Sequence, residues 1–179
     1  MDYLGRQRSL QNELSKHRLD AFLITHLANI RYLCGFTGSA GVLLVSEDKS
    51  IFFSDGRYAS QARAEVQAGR IVIQRKPPLL LAAEWLRSRF SRLSVGIEAE
   101  HLTVAGQRRL KDCLSSSFRL RLAPPVVEQA RMIKDREEIE HIRKAVLLGS
   151  KLFTHLLGTI RPGMTELEAA AELESAAYR

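Results

Sequence analysis

The stretch Asn29-Ile-Arg-Tyr-Leu-Cys-Gly-Phe-Thr-Gly-Ser39 joins chemically mismatched parts, and its reading decides the fold. A short aromatic and apolar helix-like turn runs directly into Gly35, Gly38 and Gly41, with Thr37 and Ser39 between them. Glycines at that density permit positive φ and close approach to another surface. Arg31, Tyr32 and Phe36 then place a cation and two aromatic faces beside the loop. Taken alone, the stretch is a helix cap followed by the start of a strand. A second aromatic turn, Phe52-Phe-Ser-Asp-Gly-Arg-Tyr58, gives it more meaning.

Outward from these turns, residues up to about 125 alternate between helical and extended patterns. Tyr3, Leu10 and Leu14 line one face of an opening amphipathic helix. Ala21–Thr25, Gly41–Ser46 and Ser50–Ser54 are short apolar runs suited to strands, the last two joined as a hairpin through Glu47-Asp-Lys49. A helix is expected over Arg57–Ala68, with Gly69 as its stop, followed by a strand at Ile71–Gln74. Another helix follows Pro77-Pro78, with Leu79, Leu86 and Phe90 inward. Strand Ser94–Glu98, a helix near Val104–Leu114 and strand Phe118–Leu122 complete an α/β unit, a mixed sheet flanked by helices. Pro124-Pro125 marks a boundary, because prolines stiffen the chain and cannot join an interior ladder. Beyond it, Asp135 with Glu138 and Thr165 with Glu168 read as capping boxes. They open a long amphipathic helix through Ile139, Val146, Phe153 and Ile160, ended by Gly158 and Pro162-Gly163, and a second helix that runs to the end of the chain.

Four motifs in order, NIRYLCGFTGSAG, FFSDGRY, Val95-Gly-Ile-Glu98 and Val127-Glu-x-x-Arg131-x-x-Lys134-Asp-x-Glu-Glu-Ile139, resemble the amino-terminal half of the creatinase/prolidase/aminopeptidase P family, the proline-specific metallopeptidases. Cys34 stands where that pattern favours a small polar residue such as Thr. The resemblance implies a creatinase-type, ribonuclease H-like domain over residues 1–126. Residues 127–179 are then the linker and opening helices of a truncated pita-bread catalytic domain. It implies a parent Xaa-Pro aminopeptidase or dipeptidase with two divalent metal ions, manganese by preference, held by two Asp, one His and two Glu. None of those five motif positions falls within this chain, so no metal ligand and no catalytic residue is assigned, and the chain alone is expected to be inactive. It also implies a homodimer or tetramer in which this domain covers the partner's active site and limits access to short proline-containing peptides. Arg31, Tyr32, Phe36, Thr37, Gly38 and Ser39 are the candidate loop reaching the neighbouring subunit. Asp55 and Arg57 are read as a structural turn, and Arg131 and Lys134 as inter-domain salt-bridging residues.

Other chemistries find little support in the residues. Glu138-x-x-His141 has a metal-helix spacing, but the next histidine, His155, lies about 20 Å along the helix at 1.5 Å per residue. Ser39 and Ser54 belong to no recognised nucleophile motif, and Cys34 beside Leu33 reads as a buried thiol. The glycine loop lacks the Lys-Ser/Thr ending of a phosphate loop. The net charge of +7 and pI near 9.8 invite a nucleic-acid reading. However, the arginines are scattered along the chain without a nucleic-acid-binding signature, so no nucleic-acid partner is assigned. Met1–Leu10 is charged and lacks an apolar core, no apolar run approaches the ~20 residues of a spanning helix, and two cysteines without metal spacing suit a reducing compartment. These features predict a cytoplasmic chain that does not engage a membrane. The rival from another class is a stand-alone binding or assembly module.

Overall fold

Along Ala21–Ile24, Val42–Ser46 and Ser50–Asp55 (β1, β2 and β3) nearly every residue is buried. A strand covered on one face alternates apolar with polar residues; a continuous apolar run is the mark of one covered on both. The computed structural model, which describes residues 1–178, places these strands at the centre of a six-stranded sheet. Numbered along the chain with β4 (Arg70–Gln74), β5 (Leu93–Glu98) and β6 (Phe118–Ala123), the order is β4-β3-β2-β1-β5-β6. β1, β2 and β3 pair antiparallel, while β4 on β3, β5 on β1 and β6 on β5 are parallel, so the sheet is mixed as expected.

Two cores follow from the two-residue period of each strand. Phe22, Ile24, Leu43, Val45 and Phe52 face one layer, made by α1 (Tyr3–Lys16), α2 (Leu27–Cys34), α3 (Ala59–Glu65) and α6 (Val126–Met132). Ala21, Leu23, Leu44, Ile51 and Phe53 face the other, made by α4 (Pro78–Arg89) and α5 (Val104–Cys113). Gln7 of α1 is buried among the apolar side chains, where its amide donates to Leu33 O at 2.8 Å and Gln67 O at 2.6 Å. It thereby satisfies carbonyls at the end of α2 and beyond α3 that have no partner inside a helix.

Three boundaries differ from the sequence reading. The helix expected over 57–68 begins as a 3-10 turn at Gly56–Tyr58, and its α-helical part ends at Glu65, because Gln67 N leaves the helical path to bond Cys34 O at 2.9 Å. Pro124-Pro125 does not end the first unit, since Pro125 caps α6 and Val127 returns to the core at 2% exposure. Asp2–Ile133 therefore packs as one unit, and a second begins at Lys134. It holds α7 (Arg136–Thr159) and α8 (Glu166–Ala177), both with the expected capping boxes, and α7 passes through Gly158 before ending. No helix among the described residues is long and apolar enough to cross a membrane.

Candidate functional site

The glycine loop is fixed by its own chemistry. Gly35 takes φ 87° and closes α2 with its N–H on Arg31 O at 2.9 Å. Phe36 then turns inward to 1% exposure, its ring 4.6 Å from Phe52 and edge-on to Tyr58 at 5.6 Å. The sequence reading set Phe36 beside Arg31 and Tyr32 in a loop reaching a neighbouring subunit; the ring instead lies in the core. An apolar ring next to two aromatic partners gains more from burial than from display. Gly38 permits this closeness, because a Cβ there would lie 2.4 Å from the Phe36 ring and 2.7 Å from Tyr58. Thr37 donates through its N–H and hydroxyl to Glu65, both at 2.8 Å, and Ser39 Oγ lies 2.6 Å from the Tyr58 hydroxyl. The Thr37 N–H, foremost, holds the Glu65 carboxyl below the usual carboxylate range. Arg31 remains exposed, while Tyr32 is half-buried with the Arg6 guanidinium 4.0 Å above its ring.

At the second turn Asp55 caps the 3-10 segment through Arg57 N at 3.0 Å and grips the Arg57 guanidinium with both oxygens, at 3.0 and 2.8 Å. The Arg57 side-chain hydrogen bond, first among the causes, lowers the Asp55 carboxyl. Arg57 therefore already has a carboxylate partner. Arg131 donates to Asn29 Oδ1 at 2.8 Å within the first unit, and Lys134 opens the second.

The Asn29 bond leads to a polar cluster that the sequence reading missed. His26 caps α2 without a side-chain bond, and the buried Glu98 carboxylate at the end of β5 takes over that role. It accepts from Thr25 N at 2.6 Å, and from Thr25 Oγ1, His26 N and Asn29 Nδ2 at 2.8 Å each, placing negative charge at a helix N-terminus. Asn29 Nδ2 donates to Glu128 of α6 as well. His101, on the turn after β5, meets Glu128 with its Nε2 3.0 Å from Oε1 and stacks on His26 at 3.6 Å between centroids. Burial pushes the Glu128 carboxyl up, but the Asn29 amide and His101 outweigh it, so the net direction is down. His26 Nδ1 is buried with no hydrogen-bond partner among the described residues, a state that costs about 1–3 kcal/mol. Asn29, Glu98, Glu128 and Arg131 each stand in one of the four motifs, but nothing in the spacing of 26, 98, 101 and 128 announces their meeting.

Among the described residues His26, His101 and Glu128 are the one group of three or more side chains able to hold a metal ion. Two imidazoles and one carboxylate do not match the two Asp, one His and two Glu implied by the resemblance, so the two-ion centre is not built from these residues. His141 and His155 are engaged separately, by Glu137 O and the Glu172 carboxylate, each at 2.8 Å. The basic residues are less scattered in space than in sequence. Arg18, Arg92, Arg119 and Arg121 surround a cavity of about 310 Å³ with Asp20 as its acid, and none of the four side chains has an ion pair among the described residues.

Residues 6–133 match the family model described as the Creatinase/Prolidase N-terminal domain. The uncharacterized peptidase YqhT of Bacillus subtilis (strain 168) is 33% identical over 165 residues, which is 92% of this chain and 46% of that protein. An Xaa-Pro dipeptidase from Bacillus anthracis superposes with a TM-score of 0.81 at 30% identity, covering 99% of this chain and 48% of its own. The N-terminal domain of the cytoplasmic peptidase PepQ from Mycobacterium tuberculosis H37Rv aligns over 70% of this chain and 97% of its own, with a TM-score of 0.62 and 30% identity. The chain spans about half the length of the curated relatives it matches. With its mixed sheet, its ordered motifs and a domain match over most of its length, the chain belongs to the creatinase/prolidase N-terminal domain family.

Proposed function

We propose that this chain is the non-catalytic amino-terminal portion of a cytoplasmic proline-specific metallopeptidase, an Xaa-Pro aminopeptidase or dipeptidase, serving self-association and gating of a partner's active site. The observation that carries the reading is the coverage. Nearly the whole chain superposes on the Bacillus anthracis Xaa-Pro dipeptidase while accounting for 48% of it. Residues 134–179 are then the opening helices of a catalytic domain. The exposure of Ile142, Val146 and Phe153 along α7 supports this, since an apolar helix face needs a covering partner. Two divalent ions, manganese by preference, belong to the remaining portion of the parent.

In this reading Arg31, Tyr32, Thr37, Gly38 and Ser39 form the element that meets the neighbouring subunit, and Phe36 is the buried anchor that holds it in shape. Arg31→Ala in the full-length parent should weaken the dimer or tetramer, or raise KM for Xaa-Pro peptides. An interfacial Arg typically contributes about 2 kcal/mol, roughly thirtyfold in affinity. Sedimentation and kinetics identical to wild type would remove the loop from the interface.

One observation favours a second reading. The four arginines around the β6-edge cavity suit a polyanion, as in a basic nucleic-acid-binding module. Duplex DNA binding by this chain no tighter than the ~10⁻⁶ M non-specific level at physiological salt favours the peptidase reading; sequence-selective nanomolar binding favours the second.

A further inference from the structure

We propose that His26, His101 and Glu128 bind one borderline divalent transition-metal ion of the zinc or cobalt class, which clamps α6 to the sheet. Each ligand comes from a different element: the N-cap of α2, the turn after β5, and α6. Their donor atoms lie within 4.8 Å of one another, and in a tetrahedral zinc site donors about 2.0–2.1 Å from the ion stand roughly 3.4 Å apart. His101 Nε2 and Glu128 Oε1, at 3.0 Å, are already closer than that. Side-chain rotation therefore suffices to close the set.

The surroundings fit a metal better than they fit a plain hydrogen-bonded histidine pair. His26 makes no ring hydrogen bond among the described residues, and its Nδ1 is buried. Asn29 donates to Glu128 and is itself held by Glu98 and Arg131, the kind of outer-shell support that orients a ligating carboxylate. A cavity of about 30 Å³ bordered by Glu98, His101 and Glu128 has room for one water beside two of the three ligands. Two imidazoles select against hard ions such as Mg²⁺. In the stack, inclined by 14°, each nitrogen lone pair lies in its own ring plane, so an ion reaches both rings only if one turns. His101, 26% exposed on a turn, is the ring with room to do so. Metal binding should therefore break the stack.

The test is titration of this metal-free chain with Zn²⁺, followed by calorimetry and thermal melting, and with Co²⁺, followed by visible absorption. One equivalent should bind, raise the melting midpoint and give a tetrahedral Co²⁺ spectrum. His101→Ala and the near-isosteric Glu128→Gln should each weaken binding by more than the roughly 10- to 100-fold that loss of an outer-shell partner costs. Glu128→Gln retains the shape of the site, so a fold defect in one variant leaves the other to decide. Absence of saturable binding by the wild-type chain, or wild-type affinity in the folded variants, would overturn the proposal. The outcome does not depend on peptidase activity.

Discussion

Burial decides what the individual residues around the glycine loop can do. Desolvation pushes the Cys34 thiol up to about 11, only partly opposed by the Phe36 backbone N–H, so it stays protonated and inert at neutral pH. A thiol reagent should modify Cys113 first, and Cys34 only at the rate of unfolding; equal rates in the native chain would contradict the packing. Phe36→Ala should cost about 3–5 kcal/mol, a large share of a typical domain's stability, in denaturant unfolding of the chain. Arg31→Ala, at an exposed position, should leave that stability within about 0.5 kcal/mol. The sequence marked both residues as notable but not their opposite orientations, because the side a ring turns to depends on Phe52 and Tyr58, which lie far along the chain.

Capping chemistry at the element scale was legible because it is local. Asp135 and Glu138 make the reciprocal bonds that their spacing predicts, at 2.8 and 3.0 Å. Asp135→Ala should therefore remove about 1 kcal/mol from α7, readable as lost helicity in the thermal melt. The end of α3 was not legible, since the competing partner, Cys34 O, belongs to a different element. The tie between the glycine loop and α3 is pH-dependent. Glu65 has a folded pKa below its unfolded value, so its contribution is present above the ordinary Glu range, near ~4.3, and is lost as pH falls through the depressed value. Amide exchange at Thr37, taken relative to the intrinsic rate of an unprotected amide at the same pH, should accelerate on acidification in wild type. In Glu65→Gln it should already be fast at neutral pH, and a pH profile unchanged by that substitution would show that the carboxylate does not hold the loop.

Across the molecule, the order of strands and helices was readable because central strands buried on both faces leave continuous apolar runs, and four ordered motifs resemble one family. The His26–His101–Glu128 meeting was not readable, since it exists only after β1, β5 and α6 have packed. The central claim is that this chain carries the amino-terminal domain of a peptidase without its catalytic centre. Hydrolysis of an Xaa-Pro dipeptide and a longer Xaa-Pro peptide, by the purified chain and by the full-length parent with Mn²⁺ added to both, tests it most directly. The account predicts metal-dependent turnover by the parent and none by the chain. Robust metal-dependent turnover by the 179-residue chain, or no turnover by the parent, would contradict it.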